Sequence, residues 1–227
     1  MKRTLMIRRT IIVLVTLIGL GALVYFSTNM QQPVVPEPNG QVSGNAITTL
    51  NQLEVKGRAP QTGYSREEFG GDWRVTDGCD TRNIILKRDL VDAVVNDKCQ
   101  VTSGTLNDPY SGKTIAFTRG AGTSSAVQID HVVALSNAWQ TGAQQLTPEK
   151  RDDMANDPLE LLAVDGPTNQ QKSDGDAATW LPPNKPFRCQ YVARQVAVKK
   201  KYSLWVTSAE KDAIAGILAT CPAQNIP

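Results

Sequence analysis

The chain has 227 residues, with Lys+Arg 24 against Asp+Glu 22, one histidine, four cysteines and a formal net charge of +2. Lys2, Arg3, Arg8 and Arg9 precede the first acid, Glu37; without them 20 bases face 22 acids, a charge of −2, so overall charge gives no argument for a nucleic-acid-binding surface. At 41% hydrophobic and 20% charged residues the composition excludes a disordered chain, its heterogeneity excludes a coiled coil, and a lone histidine excludes any site that needs two.

Residues 1–10 form a basic segment, followed by an uncharged apolar stretch that reads as a signal anchor or signal peptide over residues 11–27. The positive-inside bias predicts a cytoplasmic N-terminus and export of everything after it. No A-x-A-like cleavage site occurs around Val24 to Ser27, which favours an uncleaved anchor, one apolar helix ahead of the domain; a cleaved, secreted form is the alternative. Residues 28–45, rich in Pro, Gly, Gln and Asn, read as a flexible linker with a reach of about 23 Å. Residues 46–227 have the length of one domain.

Cys79, Cys99, Cys189 and Cys221 all follow the apolar stretch, and none forms a C-x-x-C pair. In an exported domain this even, widely spaced set predicts two disulfides rather than a zinc site, and the sequence-local pairing Cys79 with Cys99 and Cys189 with Cys221 is expected. Between them the spacing of Ile84, Ile85, Leu90, Val91, Val94 and Val95 predicts a helix over residues 80–95, with Asp80 as its cap. Turn signals at Asn107-Asp108-Pro109 and Arg119-Gly120-Ala121-Gly122 bracket a strand over 114–118. A second strand covers 126–129 and ends at Asp130-His131; residues 137–155 are helical in part, and 159–164 form a third strand. Asp165-Gly166-Pro167-Thr168 then starts a helix that carries Asn169 and Lys172, with Asp165 or Thr168 as its cap.

This order places the lone histidine beside an aspartate at a strand end, where both side chains are expected to turn toward one cleft. Asp130 and Asn169 make an oxygen-only ligand set, suited to Mg²⁺ rather than zinc. His131, with an unperturbed pKa near working pH, is then free to act as a base.

Asp130-His131, the strand 159–164 and Thr168-Asn169-Gln170-Gln171-Lys172 together resemble the ββα-metal core of HNH (His-Me finger) endonucleases, in the variant reading D-H, N and N. Further motifs stand in order along residues 55–207: Gly63-Tyr64-Ser65-Arg66, Cys79-Asp80-Thr81-Arg82-Asn83, Asp108-Pro109-Tyr110-Ser111-Gly112-Lys113, Asn156-Asp157-Pro158-Leu159 and Trp180-Leu181-Pro182-Pro183-Asn184. With them the chain is similar to exported actinobacterial HNH nucleases related to the GmrSD C-terminal domain. The resemblance implies an α+β fold with a ββα-metal core and additional helices. It implies His131 as general base, a divalent metal (Mg²⁺, or Mn²⁺) on Asp130 and Asn169, and hydrolysis of DNA, with RNA as a further substrate. Glu160 stands where the family's middle asparagine belongs. Two readings stay open: Asn156 takes over the bracing role, or Glu160 contributes a charge.

Residues 177–209 hold six bases, Lys185, Arg188, Arg194, Lys199, Lys200 and Lys201, and no acid. Arg194, Lys199 and Lys201 are therefore expected phosphate contacts, with Arg82 and Lys172 as further candidates. Nothing resembles a base-reading module, so little sequence specificity is expected. The reading is an extracytoplasmic nuclease without a small-molecule cofactor, touching the membrane if its anchor is retained. A catalytically inactive nucleic-acid or envelope binding module is the competing class.

Overall fold

The computed structural model describes residues 44–227. The basic segment, the apolar stretch and residues 28–43 of the linker lie outside the described residues. Among those described, no helix is long and apolar enough to cross a membrane.

Helix α1 (Ala46–Gln52) begins after Asn45, whose side chain accepts the Thr48 amide. A two-stranded ribbon, β1 (Val75–Thr76) and β2 (Cys79–Asp80), leads into α2 (Thr81–Asp89), capped by Asp80 as expected. The expected helix stops six residues early. From Leu90 the chain is extended as β3 (Leu90–Val95), which pairs antiparallel with β4 (Val101–Asn107), itself paired with β5 (Thr114–Thr118). The β-branched Val91, Val94 and Val95 are stiff at χ1 and suit a pleated surface, and the sheet overrides the helical spacing.

Strand β6 (Val127–His131) runs antiparallel to β7 (Leu161–Asp165), and α5 (Gly166–Lys172) follows β7 directly. Between the two strands lie α3 (Leu135–Gln140) and α4 (Pro148–Ala155), which account for the partly helical stretch. Helices α6 (Arg188–Lys201) and α7 (Ser208–Leu218) complete the domain; α7 opens on a reciprocal cap between Thr207 and Glu210.

The strand pair β6–β7 separates two cores. Val127, Ile129, Leu161 and Ala163 join Ile85, Leu86 and Phe117 in the smaller one, beneath the three-stranded sheet. Leu162 and Val164 face the larger one, built on α1, α3, α6 and α7. All five residues of β7 are buried because both of its faces are covered. Strict alternation of faces therefore holds along this pair, and the site inherits it.

The fold is mixed α+β and carries two disulfides, Cys79 to Cys99 and Cys189 to Cys221, with Cα separations of 5.3 and 6.5 Å. The pairing is the sequence-local one.

Candidate active site

Asp130 and His131 point to opposite faces. Strand pairing does not lapse at the strand end: Asp130 sits opposite Leu162 and His131 opposite Leu161, so the pleat continues through both. The single cleft expected for the two side chains is not formed.

On the face of the larger core, Asp130 is 6% exposed. Its Oδ1 accepts from Lys172 Nζ at 2.9 Å, and its Oδ2 accepts from the Tyr110 hydroxyl. Lys172, 2% exposed, also donates to the backbone carbonyl of His131 at 2.7 Å. Burial pushes the Asp130 carboxyl above its ordinary range, and the Lys172 ammonium pulls the other way. Tyr110 is in turn locked among Trp180, Phe187 and Tyr191. Lys172 is thus the counter-ion of Asp130.

On the opposite face, His131 is 6% exposed. Its Nε2 lies 3.0 Å from the Ala155 carbonyl oxygen, so Nε2 carries the proton and donates, and Nδ1 is the nitrogen with a free lone pair. The Trp73 indole is stacked on the ring, with centroids 5.6 Å apart and planes within 9°. Burial, and after it the nearby Arg66 charge, push the imidazolium pKa down to about 3. Burial thus places the ring pKa well below the value near working pH expected from the sequence, so at neutral pH the free imidazole is uncharged and a weaker base than that expectation implied. Beside it a crevice lined by Arg66, Asp72, Trp73, His131 and Asn156 leaves room for about one water.

Glu160 and Asn156 divide the bracing work. The buried Glu160 accepts the Val133 amide through Oε2, and its carbonyl accepts the Val132 amide, which pins the loop leaving β6. Burial holds the Glu160 carboxyl well above its ordinary range, with the Val133 amide and the Lys172 charge acting the other way. Asn156 accepts the Arg74 amide and donates to Asp152, fixing the approach of the segment that carries Trp73.

Asn169 lies on the helix side of the strand pair, where its amide donates to Gln128 Oε1 at 3.0 Å. Gln128 and Asp130 share that face by alternation, so Asn169 and Asp130 lie on one side of the sheet and His131 on the other. Both Asp130 oxygens are engaged, one of them by an ammonium. A cation at Asp130 would have to displace Lys172, and no group of three or more acidic, histidine or cysteine side chains able to hold an ion occurs among the described residues. The donor set as arranged does not fit the expected metal.

The expected phosphate contacts separate by burial. Arg194 donates to the Leu159 carbonyl, and Lys199 is fully buried against Glu210 and the Trp205 carbonyl; both hold the fold rather than face solvent. Their side of α6 packs into the larger core, which a count of bases along the sequence does not reveal. Arg82 donates to the Ser124 and Val127 carbonyls and anchors the start of β6. Lys201 is half exposed, paired with Asp157 at 2.6 Å. It lines an open groove with Arg74, Thr147, Lys150, Asp153 and Ser203, which shares Asn156 with the crevice at His131.

Sequence reasoning missed Trp73 and Arg66 as neighbours of the histidine. Arg66 belongs to a motif noted for its resemblance alone. Trp73 follows two glycines in left-handed backbone, Gly70 and Gly71, at φ of +91° and +75°. They reverse the chain so that the indole returns over the ring, and a Cβ on Gly70 would strike the Asp152 carboxylate.

A buried imidazole at the end of a strand pair that runs straight into a helix stands in a domain of mixed α+β fold. Residues 80–217 match the family described as GmrSD restriction endonucleases, C-terminal domain. A protein of Arthroderma benhamiae described as an uncharacterized secreted protein is 39% identical over 191 residues, covering 83% of this chain and 91% of that one. No solved structure matches. The chain belongs to the GmrSD C-terminal domain family. Neither match supports the narrower actinobacterial assignment.

Proposed function

We propose that this protein is an extracytoplasmic endonuclease that hydrolyses phosphodiester bonds of DNA, and of RNA, with little sequence specificity. In this reading β6, β7 and α5 form an HNH-type ββα unit with His131 as general base. The observation that carries it is the bond from His131 to the Ala155 carbonyl, which fixes the tautomer and leaves Nδ1 unprotonated on a ring that lines a water-sized crevice. Nδ1 takes a proton from that water, the water oxygen attacks phosphorus, and the P–O bond to the leaving alkoxide breaks. The imidazolium releases its proton to solvent and the alkoxide takes one from solvent, giving a phosphomonoester, a hydroxyl and the neutral imidazole again. Export is supported by the two disulfides and by the secreted relative.

The residues expected to hold Mg²⁺ or Mn²⁺ are engaged by Lys172 and Gln128, so no step is assigned to an ion there. The test is cleavage of supercoiled plasmid and of single-stranded RNA with Mg²⁺, with Mn²⁺ and with chelator. Wild type is expected to cut in at least one condition and His131→Ala to cut at least about 100-fold more slowly. An alanine variant as fast as wild type refutes the mechanism.

The Asp130–Lys172 ion pair favours one second reading, a binding module without catalysis. It requires salt-sensitive nucleic-acid binding and no cleavage in any of those conditions.

A further inference from the structure

We infer that Trp73 is the positioning residue for His131: its indole, held from outside by Arg66, sets the plane of the imidazole so that Nδ1 addresses the crevice. The inference rests on the nuclease reading for its catalytic consequence, though not for its structural one.

A buried imidazole held by one hydrogen bond retains a rotation about that bond. The Ala155 carbonyl fixes Nε2, but it does not fix the tilt of the ring or the direction of Nδ1. A second restraint has to act on the ring face, and Trp73 supplies it with planes within 9° of each other. The indole is not a passive piece of core. It is half-buried and reaches the ring from a segment that turns twice through left-handed glycine backbone to bring it there. The Arg66 guanidinium lies over the indole at 5.6 Å from its centroid and donates to the Gly71 carbonyl at 3.3 Å, closing the same turn around it. Next to the ring, Asn156 fixes the Arg74 amide at 2.9 Å, so the residue after Trp73 is tied to the end of the helix whose Ala155 carbonyl receives Nε2. Both restraints on His131, carbonyl and indole, are thus mounted on one joint, at Ala155 and Asn156. A ring held at an edge and on a face keeps one orientation, and a misplacement of about 1 Å can cost on the order of 10²-fold in rate.

The lone histidine makes the inference measurable without any turnover, because every imidazole signal of the protein belongs to His131. Two-bond ¹H–¹⁵N correlation of wild type, Trp73→Ala and Trp73→Phe reads the tautomer directly. The expected result is the Nε2–H tautomer in all three, because the Ala155 carbonyl fixes it, with the carbon-bound ring protons of His131 sharp in wild type and Trp73→Phe and exchange-broadened in Trp73→Ala, and far-UV circular dichroism unchanged across the three. On an oligonucleotide that wild type cuts, Trp73→Ala is expected to lose tenfold or more in kcat with KM within twofold, and Trp73→Phe to regain at least half of the loss. Ring-proton signals of His131 as sharp in Trp73→Ala as in wild type overturn the inference. So does an alanine variant that cuts as fast as or faster than wild type, which makes the indole a cover. A rise in KM at constant kcat also overturns it, because the indole then touches substrate. If wild type cuts nothing, the nuclease reading fails while the ring-proton signals still decide the role of Trp73.

Discussion

His131 and Glu160 are both buried, burial lowers the pKa of the first and raises that of the second, and their effects on stability run in opposite directions with pH. The folded-state pKa of His131, about 3, lies below the unfolded value near 6.5. Between these values the unfolded chain binds the extra proton, so stability is lost as pH falls from about 6.5 toward 3. His131→Gln is expected to flatten the denaturation midpoint against pH over that window, an effect on the order of a few kcal/mol at its acid end. For Glu160 the folded pKa is raised, so the folded state holds the extra proton and stability declines as pH rises above about 4.5. Glu160→Gln keeps the acceptor for the Val133 amide, removes that decline, and is expected to lie within about 1 kcal/mol of wild type at pH 5. Asp130 behaves otherwise, because its partner is a buried ammonium. Asp130→Asn is expected to cost about 3–5 kcal/mol in urea denaturation with or without divalent ions, and Asp130→Asn combined with Lys172→Met to recover most of it. Recovery of Lys172→Met stability by added Mg²⁺ would instead show an ion taking the place of Lys172 beside the Asp130 carboxylate.

At the scale of elements, the parts legible in the sequence are those in which a local rule and the tertiary structure agree. The cap at Asp80, the strand 114–118, the strand pair and the helix after Asp165 all obey local chemistry, and the structure shows each. The helix end at Asp89 was not legible, since the valines after it fit both periods and only pairing with β4 decides between them. The opposite facing of Asp130 and His131 follows from the pleat, yet it depends on pairing reaching His131, which no residue type announces. Burial of Arg194 and Lys199 was hidden because charge patterning assumes solvent on every side of α6. The motif around Cys79 to Asn83 is frame rather than site: Asn83 receives the Val101 amide and Arg119, and Arg82 holds the entrance to β6. The disulfide Cys79–Cys99 closes that frame over a separation of 20 residues. Replacing both cysteines by serine is expected to cost about 3 kcal/mol, seen as a lower thermal midpoint.

Across the whole molecule, the +2 of the chain rests on its first nine residues, and the chain beyond Arg9 carries −2. Binding a polyanion then depends on where cations stand together in the open. The groove through Arg74, Lys150 and Lys201 is such a place, and it joins the crevice at Asn156. Lys150 is exposed and forms no ion pair among the described residues, whereas Arg74 and Lys201 share theirs with Asp152, Asp153 and Asp157. Lys150→Glu is expected to weaken oligonucleotide binding several-fold and to lower the slope of log affinity against log salt by about 1 to 2, with an unchanged thermal midpoint.

Asn45 forms an antiparallel bridge with Asn225, the Ala46 amide donates to the Gln224 carbonyl, and the Ile226 amide donates to the Gly44 carbonyl. The two ends of the described region are therefore already spliced by hydrogen bonds, and the domain is close to a closed ring. A gene rearranged to start at Gly122 and end at Ala121, with a short glycine linker joining Pro227 to Gly44, encodes the same ring cut elsewhere. The cut falls in an exposed turn where Gly122 has no close neighbour for a side chain to strike. Such a permuted chain would carry His131 as its tenth residue, so that the strand bearing it leaves the ribosome first.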